Sequence, residues 1–135
     1  MTPNDYFDIL FRHKELERCE LKKAKKLLFI DTESLTTLFF YKLTFEKTKE
    51  YDQNFENIAK SISILNNYDL YLFLEPEGTI YVDDGFRLGE DDRFINNQNL
   101  KELFKENNIN YYSISGDYQE RFEKAKQKVN KLIGR

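Results

Sequence analysis

The sequence predicts an α/β fold, three layers deep, in which helices cover both faces of a mostly parallel sheet. Two strongly apolar runs at 27–30 and 68–74, and a third stretch at 109–115, are too short for buried helices and read as strands. Segments with apolar residues at helical spacing lie before, between and after them. Strands that alternate with helices are joined by crossovers, which pair them in parallel and cover both faces of the sheet.

The chain opens on a helix start, with Thr2 as N-cap, Pro3 at the first helical position and Asp5 at the third. That helix runs to about Lys25, with an irregularity expected near His13. Leu27, Leu28, Phe29 and Ile30 then form the first strand, which ends at Asp31 and Thr32. A second helix covers about 34–43 and carries Phe39, Phe40 and Tyr41. Phe55, Ile58, Ala59, Ile62 and Leu65 keep helical spacing behind a cap at Asp52 or Asn54, and Asn66 and Asn67 end that helix. The second strand follows at 68–75. Leu100, Leu103 and Phe104 mark the next helix, stopped by Asn107 and Asn108 ahead of the third strand. Asp117 caps the last helix, with Glu120 completing a capping box. Phe122, Ala125, Val129 and Leu132 are its expected buried stripe, and Lys128 and Lys131 suit its negative end.

A chain of 135 residues is read as a single domain over 1–135, without internal repeat, low-complexity segment or linker. Its composition, 40% hydrophobic and 33% charged with a net charge of −3, is that of a soluble globular protein. The even balance argues against a nucleic-acid surface; the lysines at 22, 23, 25 and 26 are explained by an exposed last helical turn. The sequence carries no secretory signal and no apolar run that would span a bilayer, so a cytoplasmic protein without membrane contact is expected. The single cysteine, Cys19, excludes an intramolecular disulfide and a cysteine-based zinc site. His13, the only histidine, is expected on the surface of the first helix.

The chemistry-bearing residues gather at the carboxyl ends of the three expected strands: Asp31 and Thr32, the loop from Glu75 to Arg93, and Gly116, Asp117 and Tyr118. In a parallel sheet those ends share one edge, where open α/β folds hold ligands. A carboxylate directly after a strand suits Mg²⁺, and arginines in a following lid, here about 76–95, suit phosphates. Arg87 and Arg93 fit the second role, with Asp84 and Gly85 making the turn between the acidic and basic halves of the loop. Taken singly, Asp31 is equally accounted for as a helix cap and Arg87 as a surface ion pair. Together the residues point to a nucleotide-dependent phosphoryl transferase.

Several segments carry a more specific likeness. They are Leu28-Phe29-Ile30-Asp31-Thr32-Glu33-Ser34-Leu35-Thr36-Thr37, Tyr68 to Leu72 leading to Glu75-Pro76-Glu77-Gly78-Thr79, Val82-Asp83-Asp84-Gly85-Phe86-Arg87 with Asp92-Arg93, and Ile114-Ser115-Gly116-Asp117-Tyr118-Gln119-Glu120-Arg121-Phe122. In this order the chain resembles the ribosylnicotinamide kinase domain of NadR-type proteins, within the P-loop kinase superfamily. The resemblance implies phosphorylation of the 5′-hydroxyl of nicotinamide riboside by ATP with Mg²⁺, giving nicotinamide mononucleotide for NAD synthesis. It assigns Asp31 to the metal, Arg87 and Arg93 to the phosphates and the catalytic step, and Tyr81, Asp84 and Thr37 to the substrate. Tyr81 stands where the family often carries Trp and keeps an aromatic face for the nicotinamide. Asp117 and Tyr118 are placed near the adenine.

One departure is large. The superfamily cradles phosphates with Gly-x-x-x-x-Gly-Lys-Ser/Thr between a first strand and its helix. The five glycines here, at 78, 85, 89, 116 and 134, allow no such motif. The expectation is therefore a P-loop kinase-like domain entered after its P-loop strand: a fragment, a remnant, or half of a split enzyme whose P-loop comes from an upstream segment or another chain. Alternatives are a non-catalytic module that binds nucleotide, nicotinamide riboside or a partner, and a plain α/β interaction domain.

Overall fold

The computed structural model describes residues 1–76 and 90–134. They form two compact units, Met1–Asn66 and Asn67–Arg135.

The first unit holds three helices, α1 (Pro3–Lys23), α2 (Ser34–Phe45) and α3 (Gln53–Leu65). The expected N-cap of α1 is present and forms a capping box: Thr2 accepts from the Asp5 amide, and the Asp5 carboxylate takes the Thr2 amide at 2.7 Å. Asp52 caps α3 by accepting from the Asn54 amide at 2.8 Å. Both caps satisfy amides that the first helical turn leaves without a partner. The core is aromatic. Tyr41 and Phe55 stack at 4.1 Å, and Tyr6 meets Tyr41, Phe45 and Phe55 edge-on at 5.6, 5.7 and 6.4 Å. Leu35, Leu38 and Ala59 fill the remainder and are fully buried. The two tyrosine hydroxyls are satisfied, Tyr6 with Thr44 Oγ1 at 3.0 Å and Tyr41 by the Asp52 amide at 2.7 Å, as buried phenols require.

The second unit runs β1 (Leu72–Leu74), α4 (Glu90–Glu106), β2 (Tyr112–Ile114) and α5 (Tyr118–Leu132). The strands pair in parallel, with Leu72 opposite Tyr112 and Leu74 opposite Ile114. Phe73 packs edge-on to Phe104 of α4 at 5.9 Å, which lays α4 on one sheet face, while β2 contacts α5. Asn107 and Asn108 end α4 as expected. Asn108 takes a left-handed conformation (φ 60°), which its short polar side chain tolerates, and the Ile109 amide returns to the Phe104 carbonyl at 2.9 Å.

The architecture is α/β with a small parallel sheet, and three expectations need correction. Residues 27–30 belong to no strand, because no described strand hydrogen-bonds to them. They keep the period of two, with Leu27 and Phe29 exposed and Leu28 and Ile30 half-buried. The second and third strands shrink to three residues each, the length over which their ladder closes. The stripe of α5 is only partly covered: Ala125 and Val129 are half-buried, none of its residues is fully buried, and Phe122 is 53% exposed.

Candidate functional site

In the first unit the chemistry lies in the turn that leads into α2. Glu33 is the N-cap, an uncommon choice, and it is buried. Its carboxylate accepts from the Leu35 amide at 2.9 Å, the Thr36 amide at 2.8 Å and the Thr36 hydroxyl at 3.0 Å. The positive end of α2 is thereby answered by the protein's own carboxylate. Thr37 is buried and turns its hydroxyl back on the Glu33 carbonyl at 3.4 Å. Before the cap, Thr32 has φ 67°, an outlier for a β-branched residue. Asp31 is exposed, and its carbonyl lies 3.1 Å from His13 Nε2.

In the second unit a polar cluster sits at the carboxyl edge of the sheet. Glu75 directly follows β1 and is buried. Its Oε1 accepts from Ser113 Oγ at 2.8 Å and Lys101 Nζ at 2.5 Å, and its Oε2 from Asn97 at 3.0 Å. Burial alone would raise its pKa, but the bonds from Lys101, Asn97 and Ser113 outweigh it and hold the carboxyl below the ordinary range. Lys101 also lies over the Phe73 ring, 5.6 Å from its centre. The Arg121 guanidinium donates to the carbonyls of Glu75 and Gly116, and Lys124 donates to that of Ser115 at 3.0 Å. Two cations from α5 thus close the ends of both strands. Asp117 caps α5 by accepting the Glu120 amide at 2.9 Å, a bond that lowers the Asp117 pKa. Tyr118, the first residue of α5, is 83% exposed.

Residues 2–121 match a family model described as an AAA domain. The chain belongs to the AAA domain family. Over 97% of its length it is 31% identical to the trifunctional NAD biosynthesis/regulator protein NadR of Salmonella typhimurium, and equally to that of Escherichia coli. The chain spans 31% of the length of each. No solved structure matches. The resemblance to NadR-type proteins read from the sequence is borne out.

Within this AAA-family chain the expected site residues divide between the units. Asp31 and Thr37 lie in the first; Arg93, Asp117 and Tyr118 lie in the second. Arg93 stands in the opening turn of α4, half-buried, where an irregular lid was expected. Tyr81, Asp84 and Arg87 fall outside the described residues. Parallel pairing sets Glu75 and Ser115 at one edge, so two of the three segments expected to share an edge do so. Asp31 suits a hard cation, being exposed and hydrogen-bonded through its side chain to no described residue. No group of three or more His, Cys, Asp or Glu positioned to hold a metal occurs among the described residues.

Glu33, Glu75 and His13 were not read as structural anchors from the sequence. Glu33 hides because caps are usually Ser, Thr, Asp or Asn. Glu75 had a legible signal: an acid closing an apolar run, with Asn97 and Lys101 four residues apart on one helix face to receive it.

Proposed function

We propose that this chain is part of a P-loop kinase-like, three-layer α/β domain that phosphorylates nicotinamide riboside. The γ-phosphoryl group of ATP would pass to the 5′-hydroxyl, the bond from Pγ to the bridging oxygen breaking as the new P–O bond forms. ADP leaves, the hydroxyl gives up its proton, and nicotinamide mononucleotide results. The observation that carries this reading is the NadR similarity, which extends over 97% of the chain, together with the AAA-domain match to residues 2–121.

In this reading Asp31 would hold Mg²⁺, which supplies charge neutralisation on the phosphates. Arg93 and Arg87 would meet the phosphates, Tyr81, Asp84 and Thr37 the nicotinamide riboside, and Asp117 and Tyr118 the adenine. The exposed Tyr118 ring is consistent with stacking on a base. A cytoplasmic location accords with NAD biosynthesis; no helix among the described residues is long and apolar enough to cross a membrane.

The 135 residues contain no Gly-x-x-x-x-Gly-Lys-Ser/Thr, which favours a second reading of a module that binds without catalysis. Loss of one oxyanion-type donor costs about 10²–10³ in rate, and a P-loop supplies several. The test is purified chain with ATP, Mg²⁺ and nicotinamide riboside, with and without a peptide bearing a P-loop. No turnover alone, restored by the peptide, identifies a split kinase. Retained nicotinamide riboside binding that is lost on Tyr81→Ala, without restored turnover, identifies the binding module. Robust turnover by the chain alone refutes the assignment of its phosphate site.

A further inference from the structure

We infer that His13 is a positioning residue, which holds the turn at Asp31 and Thr32 in the conformation that presents the Asp31 carboxylate. The functional half of this inference rests on the reading of Asp31 as the Mg²⁺ residue; the conformational half does not.

The starting observation is Thr32, whose φ of 67° is sterically costly for a side chain branched at Cβ. Such a conformation persists only where flanking contacts over-determine it. Two anchors do so here. On the far side, Glu33 is held by three hydrogen bonds from the first turn of α2. On the near side, His13 Nε2 meets the Asp31 carbonyl at 3.1 Å across a sequence distance of 18 residues. A carbonyl only accepts, so Nε2 carries the hydrogen, as it does in the Nε2–H tautomer and in the imidazolium.

His13 is itself fixed in place. It is half-buried on α1, and its neighbour Lys14 donates to Asn66, the C-cap of α3, at 2.5 Å and to Glu17 at 3.2 Å. The strained residue therefore sits between a fixed helix and a fixed helix cap. The Asp31 side chain, one residue before the strain, is left open to solvent. Without the His13 bond, no other hydrogen bond among the described residues anchors the near side of Thr32 at positive φ, and relaxation there redirects Asp31.

The test uses ¹⁵N-labelled 135-residue chain with His13→Ala and His13→Gln. Gln places an N–H donor at nearly the reach of Nε2. Two NMR readouts are taken: the strong intraresidue amide–Hα NOE that a positive φ produces at Thr32, and broadening of the Asp31 and Thr32 amides by Mn²⁺ with ATP. Circular dichroism checks that the helices are retained. His13→Ala is expected to lose the NOE and weaken Mn²⁺ at this turn by about two- to tenfold, the worth of one hydrogen bond. His13→Gln is expected to restore both. An unchanged NOE in His13→Ala overturns the inference, and so does a loss of equal size in His13→Gln, which would show that ring bulk is what matters. If wild type shows no Mn²⁺ broadening, or Asp31→Asn broadens equally, the metal reading of Asp31 fails. A Thr32 NOE that still depends on His13 then supports the positioning role by itself.

Discussion

Removing the Glu75 side chain tests the cluster at the carboxyl edge of the sheet. Glu75→Ala takes the acceptor from three donors at once: Lys101 at 2.5 Å, Ser113 at 2.8 Å and Asn97 at 3.0 Å. Breaking a buried pair by deleting one partner costs about 3–5 kcal/mol when the survivor stays dry. Here the Lys101 side chain keeps 22% of its exposure and reaches water at modest cost, and Ser113 is exposed. The expected loss is therefore about 2–3 kcal/mol. Glu75→Gln keeps an acceptor but removes the countercharge, and is expected to cost about half as much. Lys101→Met leaves the carboxylate two donors and keeps the packing on Phe73; it is expected to cost about 1–2 kcal/mol. The decisive quantity is the coupling in the double-mutant cycle, expected near 1–2 kcal/mol because the two side chains touch. The assay is urea unfolding followed by tyrosine fluorescence, with native-state hydrogen exchange at the Glu75 and Tyr112 amides, which bond across the strand pair. Acid gives an independent check. The folded-state pKa of Glu75 is depressed, so its contribution is complete above the unfolded value near 4.5 and disappears as pH falls through the folded value. A coupling energy below about 0.3 kcal/mol would refute the reasoning, since it lies within the additivity expected of independent sites.

Other outcomes follow from single features. Glu56 would be raised by burial, but Lys60, Tyr51 and Lys42 pull its pKa down to about 2. The contact between α2 and α3 should accordingly lose on the order of 2 kcal/mol as pH falls from about 4.5 to about 2, and Glu56→Gln should flatten that part of the stability-against-pH curve. Gly116→Ala meets a φ of 109° and puts Cβ 2.8 Å from Glu120 Oε2 and 3.0 Å from Glu120 Cβ; a drop of about 1–3 kcal/mol in urea unfolding is expected, and a neutral result would disprove the crowding. Ser34→Ala removes a buried hydroxyl that has no hydrogen-bond partner among the described residues, so thermal unfolding should show no destabilisation and up to about 1 kcal/mol of gain.

The helices and their ends were legible in the sequence because their signals are local. Thr2, Asp52 and Asp117 cap where their side-chain chemistry says they should, and Asn108 stops α4 by adopting a conformation few other residues accept. Strands were less legible, since a strand exists only with its partner. Residues 27–30 have a suitable apolar run and the right alternation, yet no described strand pairs with them. The α5 stripe failed for a related reason: helical spacing tells which face is apolar, and burial depends on what stands opposite. At the candidate site, the placement of Asp117 and Tyr118 at a strand edge followed from the alternation of elements. The setting of Asp31 did not, because it depends on a backbone angle at Thr32 and on a histidine 18 residues away.

The parallel register of Leu72 with Tyr112 also has a kinetic side. Forming that pair closes a loop of about 40 residues, at an entropic cost of about 3 kcal/mol beyond a constant. The first 66 residues close loops of the same reach, Lys14 of α1 meeting Asn66 at the end of α3 from 52 positions away, so contact range sets neither unit ahead in folding. The logarithm in that cost works in the other direction for evolution. Ten extra residues anywhere between the strands would add only about 0.2 kcal/mol. The length of the segment joining β1 to α4 is therefore nearly invisible to the stability of the sheet, and selection is left to set it by what the segment must reach.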